Sequence, residues 1–275
     1  MKKNFIKSAV LVFGLGALVF ASCSPDELTE NVAVFSIEEI QQSIVVDQLT
    51  ADVNTILDQD DLDEEFSAKG SVTSSVASCA VRTVESTATQ RRVTIDFGAG
   101  CLGENQKEYA GKIIILYQKT AVGVSKTVSF DGFSINKNKI EGMQFVALRK
   151  ANDAGNPVSA ITYDIKITLV SGDAISRKGR RVREKIRGKD TRNLGDDVYG
   201  INGVWESTDK QGIAKRITIT KKIIKANACK FLVSGIVEIS KKDMKATLDF
   251  GNGSCDNTAI LTDSNGNQRE ITLKD

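Results

Sequence analysis

Hydrophobic and polar positions follow two rhythms along this chain. Between residues 36 and 57, Ile37, Ile40, Ile44, Leu49, Val53, Ile56 and Leu57 recur at roughly helical spacing. Ser36 followed three residues later by Glu39 has the form of a capping box, in which each side chain satisfies the other's free amide. The pattern predicts a helix over about 36–57. The acidic run 58–65 that follows predicts a solvated break, and the Ser/Thr-rich stretch 71–78 leads into the rest of the chain.

From Cys79 onward the rhythm shortens to two. Runs rich in Val, Ile, Thr and Phe, such as 92–97, 112–117, 126–135, 161–169, 213–220 and 231–239, are separated by Gly, Asn and Asp clusters. No helical stretch of crossover length lies between them, so the strands are expected to pair antiparallel. The predicted fold is all-β, an antiparallel meander or sandwich of about a dozen strands behind one short N-terminal helix.

Thr94-Ile95-Asp96-Phe97-Gly98 is echoed by Thr247-Leu248-Asp249-Phe250-Gly251, and each copy lies between two cysteines. This faint repeat suggests two β units, 79–170 and 171–275. It also favours the pairings Cys79–Cys101 and Cys229–Cys255 among the three possible for four cysteines. Each would lace the open end of a hairpin, the first turning near 89–91 and the second at 241–243. Apolar parity in the second hairpin is one residue out of step with Cys229 facing Cys255, which calls for a bulge at Gly251-Asn252-Gly253.

Residues 1–22 combine Lys2, Lys3 and Lys7 with the uncharged apolar stretch 9–20. That stretch would span about 18 Å as a helix, against a bilayer core of about 30 Å. It reads as an export signal, ahead of a leader at 23–78. Phe20-Ala21-Ser22-Cys23 resembles the lipobox cut by signal peptidase II in bacterial lipoproteins, with Phe20 where Leu is usual. The resemblance implies that Cys23 becomes the first residue and carries the lipid. Ser24 after it implies an outer-membrane location, on the periplasmic face or the cell surface. Asp26 and Glu27 resemble a surface-export signal of Bacteroidota lipoproteins, and the whole chain looks like envelope lipoproteins of that group. That likeness implies no activity.

Charge is distributed unevenly. Thirteen acids and no Lys or Arg lie between Ser24 and Ala68, whereas 34 basic residues face 22 acids beyond it. The leader is expected either to hold the body off an anionic membrane or to dock on it and compete with a ligand. Within 177–192, nine of sixteen residues are basic. Arg181, Arg183, Lys185, Arg187 and Lys189 occupy alternate positions and would line one strand face for about 27 Å. Such a stripe could meet a polyanion, such as lipopolysaccharide phosphate, an acidic glycan or extracellular DNA, or simply form a solvated face. No aromatics interleave with it, which argues against base stacking on single-stranded nucleic acid.

The chain has no histidine, which removes His-based nucleophilic catalysis and His-ligated metal. Asp-Phe-Gly occurs twice without the loops a kinase needs, and both copies read as strand-end turns. Asp263-Ser264-Asn265-Gly266-Asn267 lacks the ligands of a calcium loop and predicts a type I′ hairpin turn at Asn265-Gly266. Adjacent Asp196 and Asp197 would point to opposite faces and make no hydrolytic pair. Trp205, the single tryptophan, reads as core. No catalytic residue, metal site or cofactor is assigned. The leading expectation is a noncatalytic, outer-membrane-anchored binding protein for an envelope polyanion or glycan. A structural or assembly subunit with an envelope protein partner comes second, and a carboxylate-based hydrolase third.

Overall fold

The computed structural model describes residues 35–66, 77–103, 105–120, 123–191 and 193–273. They form the helix α1 (Ile37–Phe66) and fourteen strands. The first half comprises β1 (Val81–Ser86), β2 (Gln90–Asp96), β3 (Cys101–Leu102), β4 (Glu108–Thr120), β5 (Gly123–Ile135), β6 (Asn138–Arg149) and β7 (Val158–Thr168). The second comprises β8 (Ala174–Arg187), β9 (Val198–Thr208), β10 (Ala214–Ala226), β11 (Ser234–Lys241), β12 (Met244–Asn252), β13 (Thr258–Asp263) and β14 (Gln268–Thr272). All belong to one antiparallel sheet in chain order, with β3 set aside against β4. The expected all-β meander is therefore present as a single sheet. The boundary expected at 170/171 lies in the tight β7–β8 turn, whose strands pair from Val158↔Glu184 to Thr168↔Ala174, and the sheet runs through it unbroken.

The helix starts as expected. The Ser36 amide donates to Glu39 Oε2 and the Glu39 amide to Ser36 Oγ, both at 3.1 Å. It does not stop at 57. It continues through the acidic run to Phe66, so the predicted solvated break is corrected to helix. Asp58, Asp60 and Asp61 in that run bond to Arg183, Arg82 and Lys126 of the sheet, which supply the partners that water was expected to provide.

Between Ile40 and Asp61 only Thr55 is exposed, and the buried positions fall on every side of the helix. Thirteen strands laid flat would span about 60 Å, whereas a helix is about 10–12 Å across with its side chains. Yet α1 is touched from β1, through Arg82, to the end of β14, through the Thr272 carbonyl. The sheet must curl around the helix. Asp47 meets Arg177 and Arg181 while Asp58 meets Arg183, so α1 and β8 run side by side in the same direction. The interior is built from Ile40, Val53 and Ile56 of α1 against Ile95, Ile113, Ile115, Val128, Ile161, Val237 and Leu248 of the sheet. Among the described residues no helix is long and apolar enough to cross a membrane.

Both Asp-Phe-Gly copies make the same local bond, but only the first ends its strand as expected; the second lies inside β12, at a bulge. Asp96 Oδ1 accepts from the Gly98 amide at 2.8 Å, and Asp249 Oδ1 accepts from that of Gly251 at 2.9 Å. The phenylalanines are buried and both glycines have positive φ. Cys79 and Cys101 sit at disulfide distance with Cα atoms 5.8 Å apart, and Cys229 and Cys255 likewise at 5.2 Å. Apolar facing in β11–β12 is as the parity required, Val237↔Leu248 and Ile239↔Ala246. The register slips between Ser234 and Ile236, opposite Phe250-Gly251, one step from the expected bulge. The Asn265-Gly266 turn needs correction. Only Gly266 has positive φ, and Asp263 Oδ1 accepts from the amides of Asn265 and Asn267. This is a three-residue loop closed by a left-handed glycine rather than type I′.

Candidate functional site

The alternation read in β8 holds as far as Lys185, and the face it defines is turned inward; a register shift between Lys185 and Arg187 interrupts it, and Lys189 lies beyond the end of the strand. Arg177, Arg181 and Arg183 are buried against α1. The Asp47 carboxylate accepts from Arg177 at 2.6 Å and from Arg181, and Asp58 accepts from Arg183 at 3.1 and 2.8 Å. Lys185 pairs with Asp197 at 2.7 Å, Arg187 is exposed, and Lys189 reaches the Gly155 carbonyl at 3.2 Å. The five expected polyanion ligands thus do not form one free surface. The first two already hold the protein's own acidic helix. Docking of the leader, one of the two alternatives for its acidity, is what these contacts show for 37–61.

Aromatic rings complete the cluster. Trp205 of β9 lies across from Gly179 of β8, where a Cβ would come within 2.4 Å of the tryptophan Cβ. The absent side chain lets the indole lie flat beneath Arg181, whose guanidinium sits 3.9 Å from the ring centroid. Tyr199 takes the same place under Arg183 at 4.1 Å. Guanidiniums so stacked lose water at lower cost, because the ring face offers negative potential in its place. Trp205 is core, as its sequence setting suggested, and also a wall of the ionic cluster.

The carboxylates divide by the number of bonds they accept from cations, two at Asp47, Asp58 and Glu39 and one at Asp52, Asp61 and Asp197. Burial alone would raise the Asp47 and Asp58 pKa values, but Arg177 and Arg181 for the one, and Arg183 for the other, hold them below the ordinary range. Burial dominates at Asp52 and Asp61 and pushes them up despite Lys107 and Lys126. Glu39 is opposed by burial, yet hydrogen bonds from Lys241 and Lys215 bring it down to about 2. Asp197, buried with Lys185 and the Tyr199 hydroxyl, is raised by burial, whereas Asp196 accepts from Thr191 in the neighbouring loop. The two adjacent aspartates therefore have separate tasks.

Charge is not balanced evenly along α1. Around its second half, Asp58, Asp60 and Asp61 meet Arg183, Arg82 and Lys126 one for one. Around its first half, Glu39 alone serves Lys215 and Lys241, and Asp47 alone serves Arg177 and Arg181. Lys225 donates to the carbonyls of Cys229 and Lys230, and burial lowers its pKa to about 8. Asp52 pairs with Lys107 and also acts on Lys225. Counting it, six cations (Lys107, Arg177, Arg181, Lys215, Lys225 and Lys241) meet the three carboxylates Glu39, Asp47 and Asp52, so the first half and middle of α1 carry a positive surplus among these described groups. A cavity of about 60 Å³ opens there, walled by Ile44, Ile219, Leu232, Val237 and Phe250, with Asp47, Gln48, Arg181, Trp205 and Lys225 as the polar part of its lining. Sequence reasoning missed this cavity, since its walls come from α1 and from β8 to beyond β14.

No family model matches the chain, and no match is found among curated proteins or solved structures. Cys23 lies outside the described residues.

Proposed function

We propose that this chain is a lipid-anchored, noncatalytic binding protein of the outer membrane that takes an anionic component of the envelope. The observation that carries the reading is the positive surplus around the first half of α1, inside the curled sheet and beside a cavity. It replaces an exposed β8 stripe as the place where an anion would be held. Lipid on Cys23 would tether the body closely, because the twelve residues to Phe35 reach at most about 40 Å. Both cysteine pairs would be oxidised in an exported protein.

Detergent extraction of the intact lipoprotein, with mass spectrometry of its N-terminus and of co-extracted small molecules, tests this. The expected result is diacylglyceryl-Cys23 as first residue and an anion retained at low salt. A mature chain starting elsewhere would sink the anchor, and a protein free of any anion would sink the binding role. A second reading, an assembly subunit, rests on the edge strand β1, which leaves Val81 and Val84 exposed. It predicts a stoichiometric envelope protein in the same extract.

A further inference from the structure

We infer that the cavity beside the first half of α1 is a binding site for a short-chain aliphatic carboxylate of about butyrate size. This rests on the binding-protein reading and names the class of its ligand.

Size comes first. The cavity measures about 60 Å³, and on that measure one water needs roughly 10–15 Å³. The space therefore suits four to six non-hydrogen atoms. Its walls are aliphatic or aromatic over most of their area: Ile44, Ile219, Leu232, Val237, Phe250 and Leu273. A water cluster of that size would find few partners there, whereas a short alkyl chain would fit.

The polar part of the lining is rich in donors; besides Asp47 it comprises Gln48, whose amide donates to Asp52, and Arg181, Trp205 and Lys225. Arg181 and Trp205 both line the cavity and are 8% and 3% exposed. The Arg181 Nε and Trp205 Nε1 hydrogens have no acceptor among the described residues. Buried donors are rarely left so, and both ask for an acceptor rather than a donor. Lys225 borders the same space; its ammonium donates to the main-chain carbonyls of Cys229 and Lys230, and the charges that act on it are Asp52 and the Lys107 paired with Asp52. The Asp47 carboxylate also faces the cavity, but it is shared by two guanidiniums, so their joint charge remains positive. Unpartnered donors and surplus positive charge in an otherwise apolar lining describe a carboxylate headgroup on a short chain. A cation of the same shape would meet the same donors and be repelled.

Trp205 is the chain's single tryptophan, so its emission reports on this cavity directly. The test is titration of the mature chain with sodium butyrate at fixed ionic strength, alongside n-butylammonium chloride and sodium chloride. Butyrate should change the emission saturably, and the other two should not. Lys225→Met should weaken the response at least tenfold, and Ala51→Leu, which adds bulk to the cavity lining, should abolish it. In the unaltered chain the affinity should fall as pH rises through 8, where Lys225 loses its proton. An equal response to butyrate and chloride would overturn the inference, as would butyrate binding undiminished in both variants. Should Ala51→Leu fail to fold, the comparison of butyrate with butylammonium on the unaltered chain still decides. If butyrate is inert while the extract yields another anion, this inference fails and the binding role stands.

Discussion

Arg183 on β8 holds the Asp58 carboxylate of α1 at both ends, Nη1 to Oδ1 at 3.1 Å and Nη2 to Oδ2 at 2.8 Å. Two parallel bonds fix angle as well as distance, so this pair sets how α1 lies along β8. Both side chains are nearly out of water, at 9% and 15% exposure, and Tyr199 covers the guanidinium. Asp58→Ala would leave a buried cation without its partner, and should cost about 3–5 kcal/mol in urea unfolding. Adding Arg183→Met to that variant should restore much of the loss, because an apolar side chain has no charge to desolvate. If the double variant is as unstable as Asp58→Ala alone, the pair does not work as described.

A contact without strain separates two glycines. Gly179 is not in the left-handed region, yet a Cβ there would sit 2.4 Å from the Trp205 Cβ and 2.5 Å from its Cα. Gly179→Ala should therefore destabilise by about 1–3 kcal/mol through overpacking, and should shift Trp205 emission. Gly212 has a φ of +77° and nothing within 4 Å of its missing Cβ. Gly212→Ala should cost about 1–2 kcal/mol through backbone strain alone, with emission unchanged.

Which residues share a face was legible in the sequence, and which face lies inside was not. Period-two spacing put Arg181, Arg183 and Lys185 together in β8, but alternation has no sign. Arginines are usually placed in water, and only the acids of α1 reverse that expectation. Those acids were visible as a charge run, and a run of like charge reads as solvated until its partner is known. The helix itself gave little warning. Because the sheet surrounds it, apolar and acidic positions occur on every side, and no single apolar stripe forms. The capping box and the parity of β11–β12 were legible because both are local. The loops at Asn152, Asp209 and Asp263 share one local signal, an Asx residue three before a glycine of positive φ, with the side-chain oxygen accepting two loop amides.

The two cysteine pairs close segments with sequence separations of 22 and 26 residues. In the chain-entropy account each bond should add about 3 kcal/mol by restricting the unfolded chain. Reduction should lower the urea midpoint in two steps of similar size, one removed by Cys79→Ala/Cys101→Ala and the other by Cys229→Ala/Cys255→Ala. Peptide mapping without reductant should find no 79–229 link.

Stability should fall with acid and rise with mild alkali. Glu39 is held at about 2 against an ordinary 4.5. Its contribution is complete above pH 4.5 and is lost as pH falls towards 2. Asp47 and Asp58 act in the same sense from 3.8 downward. Asp52 and Asp61, raised by burial, take up protons in the folded chain first and soften the loss just above that range. Lys225 works at the other end. Its folded value of about 8 lies below 10.5, so the unfolded chain binds more protons between them and stability rises with pH there. Urea midpoints should climb from pH 8 to pH 10, and Lys225→Met should flatten that rise. A rise unchanged in the variant would assign it to another group.

Removing α1 gives the widest test of the arrangement. The inner faces of β4, β5, β7 and β8 carry Ile113, Val128, Ile161 and Arg181, all buried with the helix in place. A chain starting at residue 67 would expose this apolar surface and leave Arg177, Arg183 and Lys126 without carboxylates. It should be aggregation-prone and bind dyes specific for apolar surface. A peptide of residues 35–66, added in trans, should restore solubility and quench the dye, since Asp47, Asp58, Asp60 and Asp61 reach their partners across more than fifty residues or by side-chain contact alone, apart from the Asp60–Arg82 pair. The same peptide with Asp47→Lys and Asp58→Lys should fail, while one with Thr55→Ala, at the exposed position, should succeed. Rescue by the lysine peptide would mean that apolar burial alone seats the helix, and that the ionic pairs are incidental to it.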